Sequence, residues 1–452
     1  MATFNVATAS QLYAALNTAK GGDTILMAAG NYGNVTIDDH SYASPVTITS
    51  ASSTSLAHMN RLLVDNVDNL VLKKLDIGSA PITGETTTFI ATIQNSSKIT
   101  LDSLRVHGLI DGNPRSDRSG VAIRWSDSVK IVNSNFQDLY RGAWAQRSTN
   151  VQLIGNNFTD IRLDGIAVAA VQNILIDGNK FSNFHRQIDD HSDAIQFWTT
   201  GETAASTDII IRNNQILQGS GTAMQGIFMR DESGGKMPFQ RVLIENNLVY
   251  ESGYPNGIAV IGAKSLTLKG NTAISRTGDG SATRIRLENI AGATISKNVT
   301  DQIQKLGTLT SITYANNISL LSSPTYTAMI EDIALGATAS ADDLTLSGYG
   351  YQFPTTSTTS TTTQTSASVE KVALDTKVAV TTTVQQPAPT TTATAPVTET
   401  YQAFTLDGLY TGTFSSSGWG NSVTQSAPLT SAAANTSLAG NAFRSSYQLY
   451  HA

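Results

Sequence analysis

One short motif recurs along most of the chain, and its spacing narrows the possible folds more than any other feature. Val129-Lys130-Ile131-Val132-Asn133-Ser134-Asn135-Phe136 is echoed by Val151-Gln152-Leu153-Ile154-Gly155-Asn156-Asn157-Phe158. It returns at Ile174-Leu175-Ile176-Asp177-Gly178-Asn179, at Ile209 to Asn214 and at Val242 to Asn247, then at Leu266 to Asn271, Ala293 to Asn298 and Ile312 to Asn317. Start positions 129, 151, 174, 209, 242 and 266 are 22, 23, 35, 33 and 24 residues apart. A short alternating strand closed by a turn and repeated near this period marks a solenoid, in which each unit buries its apolar face only by stacking on the next. Leucine-rich repeats need their own Leu frame and a helical side, and both are missing. The pattern predicts an all-β, right-handed parallel β-helix rather than an antiparallel sandwich. The Asn after each strand stacks as a ladder at one corner. Earlier copies at Val46, Leu70 and Ile99 keep the strand, and in the latter two Leu75 and Leu104 stand where the Asn would be.

The composition fits turn-rich β-structure: only 14% of residues are charged, with 35 Gly against 11 Pro. A formal charge of −6, from 29 basic and 35 acidic side chains, argues against nucleic acid as a partner. No run approaches the roughly 18 apolar residues that cross a bilayer, so a membrane-integral protein is not expected. With no cysteine, thiolate catalysis, zinc–thiolate sites and disulfides are excluded together. Met1-Ala2-Thr3-Phe4-Asn5-Val6 has neither the basic nor the apolar part of a secretory signal, leaving the cytoplasm or export by another route.

Three segments follow. Residues 1–350 form the solenoid, and Ser10 to Lys20, with Leu12, Ala15 and Leu16 on one face and a Gly21-Gly22-Asp23 stop, reads as a helix capping its open end. Residues 351–400 are rich in Thr and Ser and read as a flexible linker; 401–452 form a Gly/Ser-rich tail with spaced aromatics.

A second strand accompanies each repeat: Gly120–Arg124, Gly142–Gln146, Gly165–Ala169, Ala194–Trp198, Gly226–Arg230, Gly257–Ile261 and Arg284–Glu288. Second and fourth positions are apolar and fill the core, so third and fifth positions point outward. The outward columns hold Trp144, Gln196, Trp198, Phe228 and Arg286, an exposed sheet suited to sugar: rings stack on pyranose faces and guanidinium pairs with carboxylate. Just before these strands stand Ser119, Arg141, Asp164, Asp193, Gln225 and Asn256. Stacking puts Asp164 and Asp193 on adjacent coils, about 5 Å apart, too close to ionise together unless a cation intervenes. The coils of 35 and 33 residues carry Asp189-Asp190-His191-Ser192-Asp193 and Arg230 to Lys236, so extra length coincides with charge, as in loops framing a cleft.

Two chemistries fit. In β-elimination, Arg230 or a Ca²⁺ held by Asp190 and Asp193 neutralises a uronate, while His191, Lys236 or Arg241 removes the C5 proton. In hydrolysis, Asp164, Asp190 and Asp193 act as acid and base or nucleophile. These residues leave the choice open.

The run Asp190-His191-Ser192-Asp193-Ala194-Ile195-Gln196-Phe197-Trp198, with Gln225 to Glu232 and Phe239-Gln240-Arg241, resembles the rhizobial Ply-type exopolysaccharide glycanases, often labelled polysaccharide lyases. That resemblance implies depolymerisation of an acidic exopolysaccharide outside the cell, and export by type I secretion machinery reading a C-terminal signal. A partial likeness to polygalacturonases rests on Asp193 before its strand and on Arg284-Ile285-Arg286, without their Asn-Thr-Asp and Gly-His-Gly motifs. The opening around Gly21 to Leu26 is similar to the first coil of alginate and chondroitin lyases. Rival expectations are a non-catalytic carbohydrate-binding or adhesive β-helix and a uronate epimerase.

Overall fold

Each repeat closes into one coil because three short strands with alternating apolar residues can bury their inner faces only against one another. In the computed structural model, which describes residues 1–79, 89–276, 282–322, 344–354 and the backbone of 401–405 and 408–412, these coils stack as a right-handed parallel β-helix. A typical coil consists of Ile166–Ala169, Gln172–Asp177 and Lys180–Ser182. The first two strands of successive coils build a 19-stranded sheet and the third a separate 12-stranded one. Register is direct: Ile166 pairs with Ile195, and Ile195 with Ile227.

The interior is a continuous apolar column with its own stack of rings, Phe136, Phe158 and Phe181, at centroid spacings of 4.6 and 5.0 Å. Gly142 and Gly165 lie against this stack. A Cβ on Gly142 would sit 2.4 Å from the Gly165 carbonyl and 2.5 Å from Phe158, so only glycine lets adjacent coils close here.

The asparagine ladder is present. Asn156 Nδ2 donates to Asn179 Oδ1 at 3.0 Å, and the pattern continues through Asn214, Asn247, Asn271 and Asn298 to Asn317. In the coil at 129 the rung is Ser134, whose N–H donates to Asn156 Oδ1, while its Oγ accepts from Leu104 N.

The capping helix runs Ala9–Thr18, with Thr8 accepting from Gln11 N and with Leu12, Ala15 and Leu16 buried. It does not end on glycine. Ala19 is already extended, and Asp23 Oδ2 accepts from Lys20 N at 2.9 Å, so a carboxylate instead holds the chain leaving the helix.

In the first compact unit Tyr351 is buried and donates from its N–H to Thr272, so the chain is still packed on the solenoid at this residue. Most of the linker at 351–400 and of the tail at 401–452 lies outside the described residues. In the second unit Tyr401–Thr405 pairs antiparallel with Gly408–Gly412. Among the described residues no helix is long and apolar enough to cross a membrane.

Candidate active site

The residues just before the second strands form a column in the predicted order. Asp193 pairs in register with Gln225, and Asn256 with Arg284; stepping back two residues from Ala143↔Ile166 and Ile166↔Ile195 places Arg141, Asp164 and Asp193 on consecutive coils. Arg141 Nε donates to Asp164 Oδ2 at 2.9 Å. His191 Nδ1 meets Asp193 Oδ2 at 3.0 Å. Gln225 Nε2 donates to Asp193 Oδ1 at 2.9 Å and lies 2.7 Å from His191 Nε2. Asn256 donates to Gln225 Oε1, which sets the amide so that its NH₂ faces the His–Asp pair.

Exposure differs sharply within this group. The His191 side chain is 44% exposed, whereas that of Asp193 is 0% and that of Asp164 1%. Burial pushes Asp193 up to about 6, against the nearby His191, with the Asp164 charge adding to the rise. Burial likewise raises Asp164, although Arg141 opposes it, and Asp164 Oδ1 keeps no hydrogen-bond partner. For His191, burial disfavours the charged ring, but the Asp193 and Asp164 carboxylates outweigh it and push it up to about 9. An imidazolium would need the Gln225 amide reversed, its carbonyl facing Nε2.

The sheet face beside this column is a floor between walls, which corrects the expected exposed surface. Ala122, Ala167, Ala169 and Ala259 are buried, and so are Gln196 and Phe228. The two insertions after the strands make one wall: Glu202 accepts from Gln146 and Arg147, Thr199 Oγ1 donates to Asp231 Oδ1 at 3.2 Å, and Thr200 to Glu232. The opposite wall holds Arg162, which donates to Asp190 from Nε and Nη2 at 2.9 and 3.1 Å and to the Arg115 carbonyl from Nη1. Tyr254 OH donates to the Asp190 carbonyl, and Arg186 lies over the Tyr254 ring. On the floor, Trp144 and Trp198 meet edge to face at 5.6 Å across the coil between them, which presents only Ala167 and Ala169. Phe228 packs under His191 at 4.9 Å. The buried donors Trp144 Nε1 and Arg124 Nε have no hydrogen-bond partner. Arg230, on the Phe228 strand and opposite Trp198 in register, is exposed and makes no ion pair among the described residues.

The predicted site residues therefore divide. Asp164, His191 and Asp193 come together, with Trp144, Gln196, Trp198, Phe228 and Arg230 on the adjoining floor. Asp190 does not share a cation position with Asp193: Arg162 holds it below its ordinary value in spite of burial, while Asp193 faces His191 and Gln225. Arg241 is not a base in the cleft. It occupies the corner column of left-handed residues Asn150, Asn173, Asp208 and Arg241, where Asp208 takes both Nε and Nη2 at 2.6 Å. Lys236 is exposed on the 231–238 insertion, without a side-chain partner among the described residues. Arg286 shares the face two coils beyond Phe228 and is committed to Glu288. Arg141, Gln225 and Asn256 were visible as column members, but their residue types alone did not mark them. Arg162 and Tyr254 each stand two residues ahead of a column member, Asp164 and Asn256, in turns through which strand alternation does not extend, so the strand pattern does not mark them.

A family model described as the right handed β-helix region matches residues 90–273. Among solved structures, the Dettilon tailspike protein is similar at 15% identity with a TM-score of 0.51, over 70% of this chain and 65% of that one. A PL6 family alginate lyase gives 13% identity and a TM-score of 0.43 over 70% and 51%, and a polygalacturonase from Erwinia carotovora 14% and 0.46 over 70% and 96%. The chain thus spans just under two thirds of the tailspike protein and about half of that alginate lyase. At these identities the likeness is one of fold. No curated protein matches in sequence.

Proposed function

We propose that this protein cleaves a uronic-acid-containing exopolysaccharide by β-elimination, with His191 as base and Arg230 neutralising the uronate. The observation that carries this reading is the difference in exposure inside one hydrogen-bonded group: the imidazole reaches solvent and the carboxylate behind it does not. A fully buried Asp193 or Asp164 cannot touch a glycosidic oxygen, which counts against hydrolysis by paired carboxylates. Each can act through His191, Asp193 by accepting Nδ1–H and leaving Nε2 free for a proton. In that step the C5–H proton moves to Nε2, its electron pair forms a C4=C5 double bond, the C4–O4 bond breaks, and the departing oxygen takes a proton from the solvent or the new imidazolium. The Gln225 amide, 2.7 Å from Nε2, gives way as C5 approaches. Arg230, about two strand residues or roughly 7 Å from Phe228, meets the carboxylate whose charge grows as C5 is deprotonated. Trp144 and Trp198 bind the neighbouring sugars. Since the two carboxylates hold His191 near 9, the rate climbs with pH toward that value.

The test is to follow a uronate-rich bacterial exopolysaccharide for unsaturated product absorbing in the near ultraviolet. New reducing ends without that absorbance would sink the elimination step and favour hydrolysis. Changed linkage composition without shortening would indicate an epimerase, and binding without any product an adhesive protein. The same reading has the enzyme act outside the cell, exported through its C-terminal tail by type I machinery. The absence of cysteine and the tail set behind a Thr/Ser-rich linker support it. Deleting the residues after Tyr401 should keep activity and block export; a truncated protein still found outside cells overturns the route.

A further inference from the structure

A second acidic group lies on the wall of the cleft, away from the column. The segment 108–118 leaves strand Arg105–His107 and returns as Ser119–Arg124, and within it Asp111 and Asp117 meet Asp138 of strand Asn135–Leu139. One carboxylate oxygen from each lies within 4.8 Å of those of the other two. Asp138 is 0% exposed and Asp117 7%. Each uses one oxygen: Asp117 Oδ1 accepts from Leu109 N at 3.1 Å, and Asp138 Oδ2 from Gly112 N at 2.8 Å. The other two, Asp117 Oδ2 and Asp138 Oδ1, are buried and have no hydrogen-bond partner. Among the described residues no Lys, Arg or His forms an ion pair with any of the three. The segment is drawn tightly onto them, since a Cβ on Gly108 would stand 2.1 Å from the Asp138 carbonyl and 2.4 Å from Asp117 Cγ.

Buried carboxylates without a counter-charge are retained only if protons or a cation neutralise them. Carboxylates that converge from two elements, two of them each with a buried oxygen that has no partner, suit the cation. We infer that Asp111, Asp117 and Asp138 hold a divalent cation, calcium by its donor set, which pins segment 108–118 to the solenoid. All the donors are oxygens, as hard cations take them, and the nitrogen and sulfur ligands that favour zinc are missing from the trio. Its consequence reaches the cleft: the Arg115 carbonyl of this segment accepts from Arg162 at 2.9 Å, and Arg162 holds Asp190 beside His191. The inference stands without the elimination chemistry.

The experiment strips the full-length protein with a chelator, then titrates CaCl₂ by calorimetry while amide exchange is followed over 108–118. Calcium should bind and slow exchange in that segment. Asp117→Asn and Asp138→Asn should each weaken binding at least about tenfold. Asn at 138 can keep the Gly112 hydrogen bond and tolerates the φ of 49° there. Asp111→Ala, at an exposed position, should also weaken binding, and it decides the matter if the buried variants fail to fold. No calcium binding, unchanged exchange in 108–118, or wild-type affinity in Asp111→Ala overturns the proposal. So does binding that survives Asp117→Asn and Asp138→Asn but disappears in Asp193→Asn, which would put the ion in the catalytic column.

Discussion

Two polar columns run through the same solenoid, stacked by the same register, and they are built on opposite plans. In the asparagine ladder, rungs from Asn156 to Asn317 repeat one neutral side chain. Each Nδ2 up to Asn298 donates both to the next Oδ1 and to a carbonyl of an earlier coil, as Asn214 does to Asn247 at 2.9 Å and Ile176 at 3.0 Å. In the column of Arg141, Asp164, Asp193, Gln225, Asn256 and Arg284 four residue types occupy six rungs, charged side chains stand beside amides, and Asp164 Oδ1 and Arg284 Nε have no hydrogen-bond partner. Repetition satisfies every donor and serves stability. Variety leaves charges under tension, raises carboxylate and imidazole pKa values together, and suits chemistry.

The sharpest way to break this contrast is Asp193→Asn. It should lower the rate on exopolysaccharide by about a thousandfold with the far-ultraviolet spectrum unchanged; a rate within tenfold of wild type would make the column as purely structural as the ladder. Asn214→Ala is the complementary change. It removes bonds to Asn179, Asn247 and Ile176 and should destabilise the solenoid by about 3 kcal/mol in denaturant titration, with activity per folded molecule retained. Loss of activity without loss of stability would reverse the roles assigned to the two columns.

Titration provides the next test. His191, Asp193 and Asp164 all bind protons more tightly folded than unfolded, so their contribution to stability is complete in acid. It declines as pH rises from the unfolded Asp value near 4, and is gone once His191 loses its proton at about 9. In Asp193→Asn, NMR should find His191 shifted down toward its ordinary value of about 6.5, and the melting temperature should depend less on pH between 6 and 9. A His191 pKa unchanged by that substitution would remove the coupling on which the site rests. The smallest effect belongs to Arg241→Ala. Its pair with Asp208 is half exposed, so about 0.5 kcal/mol or less should be lost and activity should stay at wild-type level. A large drop in rate would return Arg241 to the cleft.

What could be read from the chain was whatever depends on register. The motif spacing foretold the ladder, down to Leu75 and Leu104 at the rungs without Asn, and put Asp164 next to Asp193 across a gap of 29 residues. The capping helix was legible from Leu12, Ala15 and Leu16, but its stop was not, because Asp23 holds the chain through a contact that glycine spacing does not report. The side of the strand that each outward column takes was identified correctly, and its exposure was not. Alternation determines which side of a strand a residue takes; it cannot tell that the insertions after Trp198 and Arg230 are tied down beside the sheet through Glu202 and Asp231.

A repeat of nearly constant length by itself determined that coils stack and which residues become neighbours along the axis, because hydrogen-bonded parallel strands leave little freedom of register. Only the tertiary structure decided which charges are partnered. Asp190 goes to Arg162, Arg241 to Asp208, and Asp193 to His191 and Gln225: stacking brings several charged and polar side chains on adjacent coils within reach of one another, and the path of each turn, which strand spacing does not report, chooses among them.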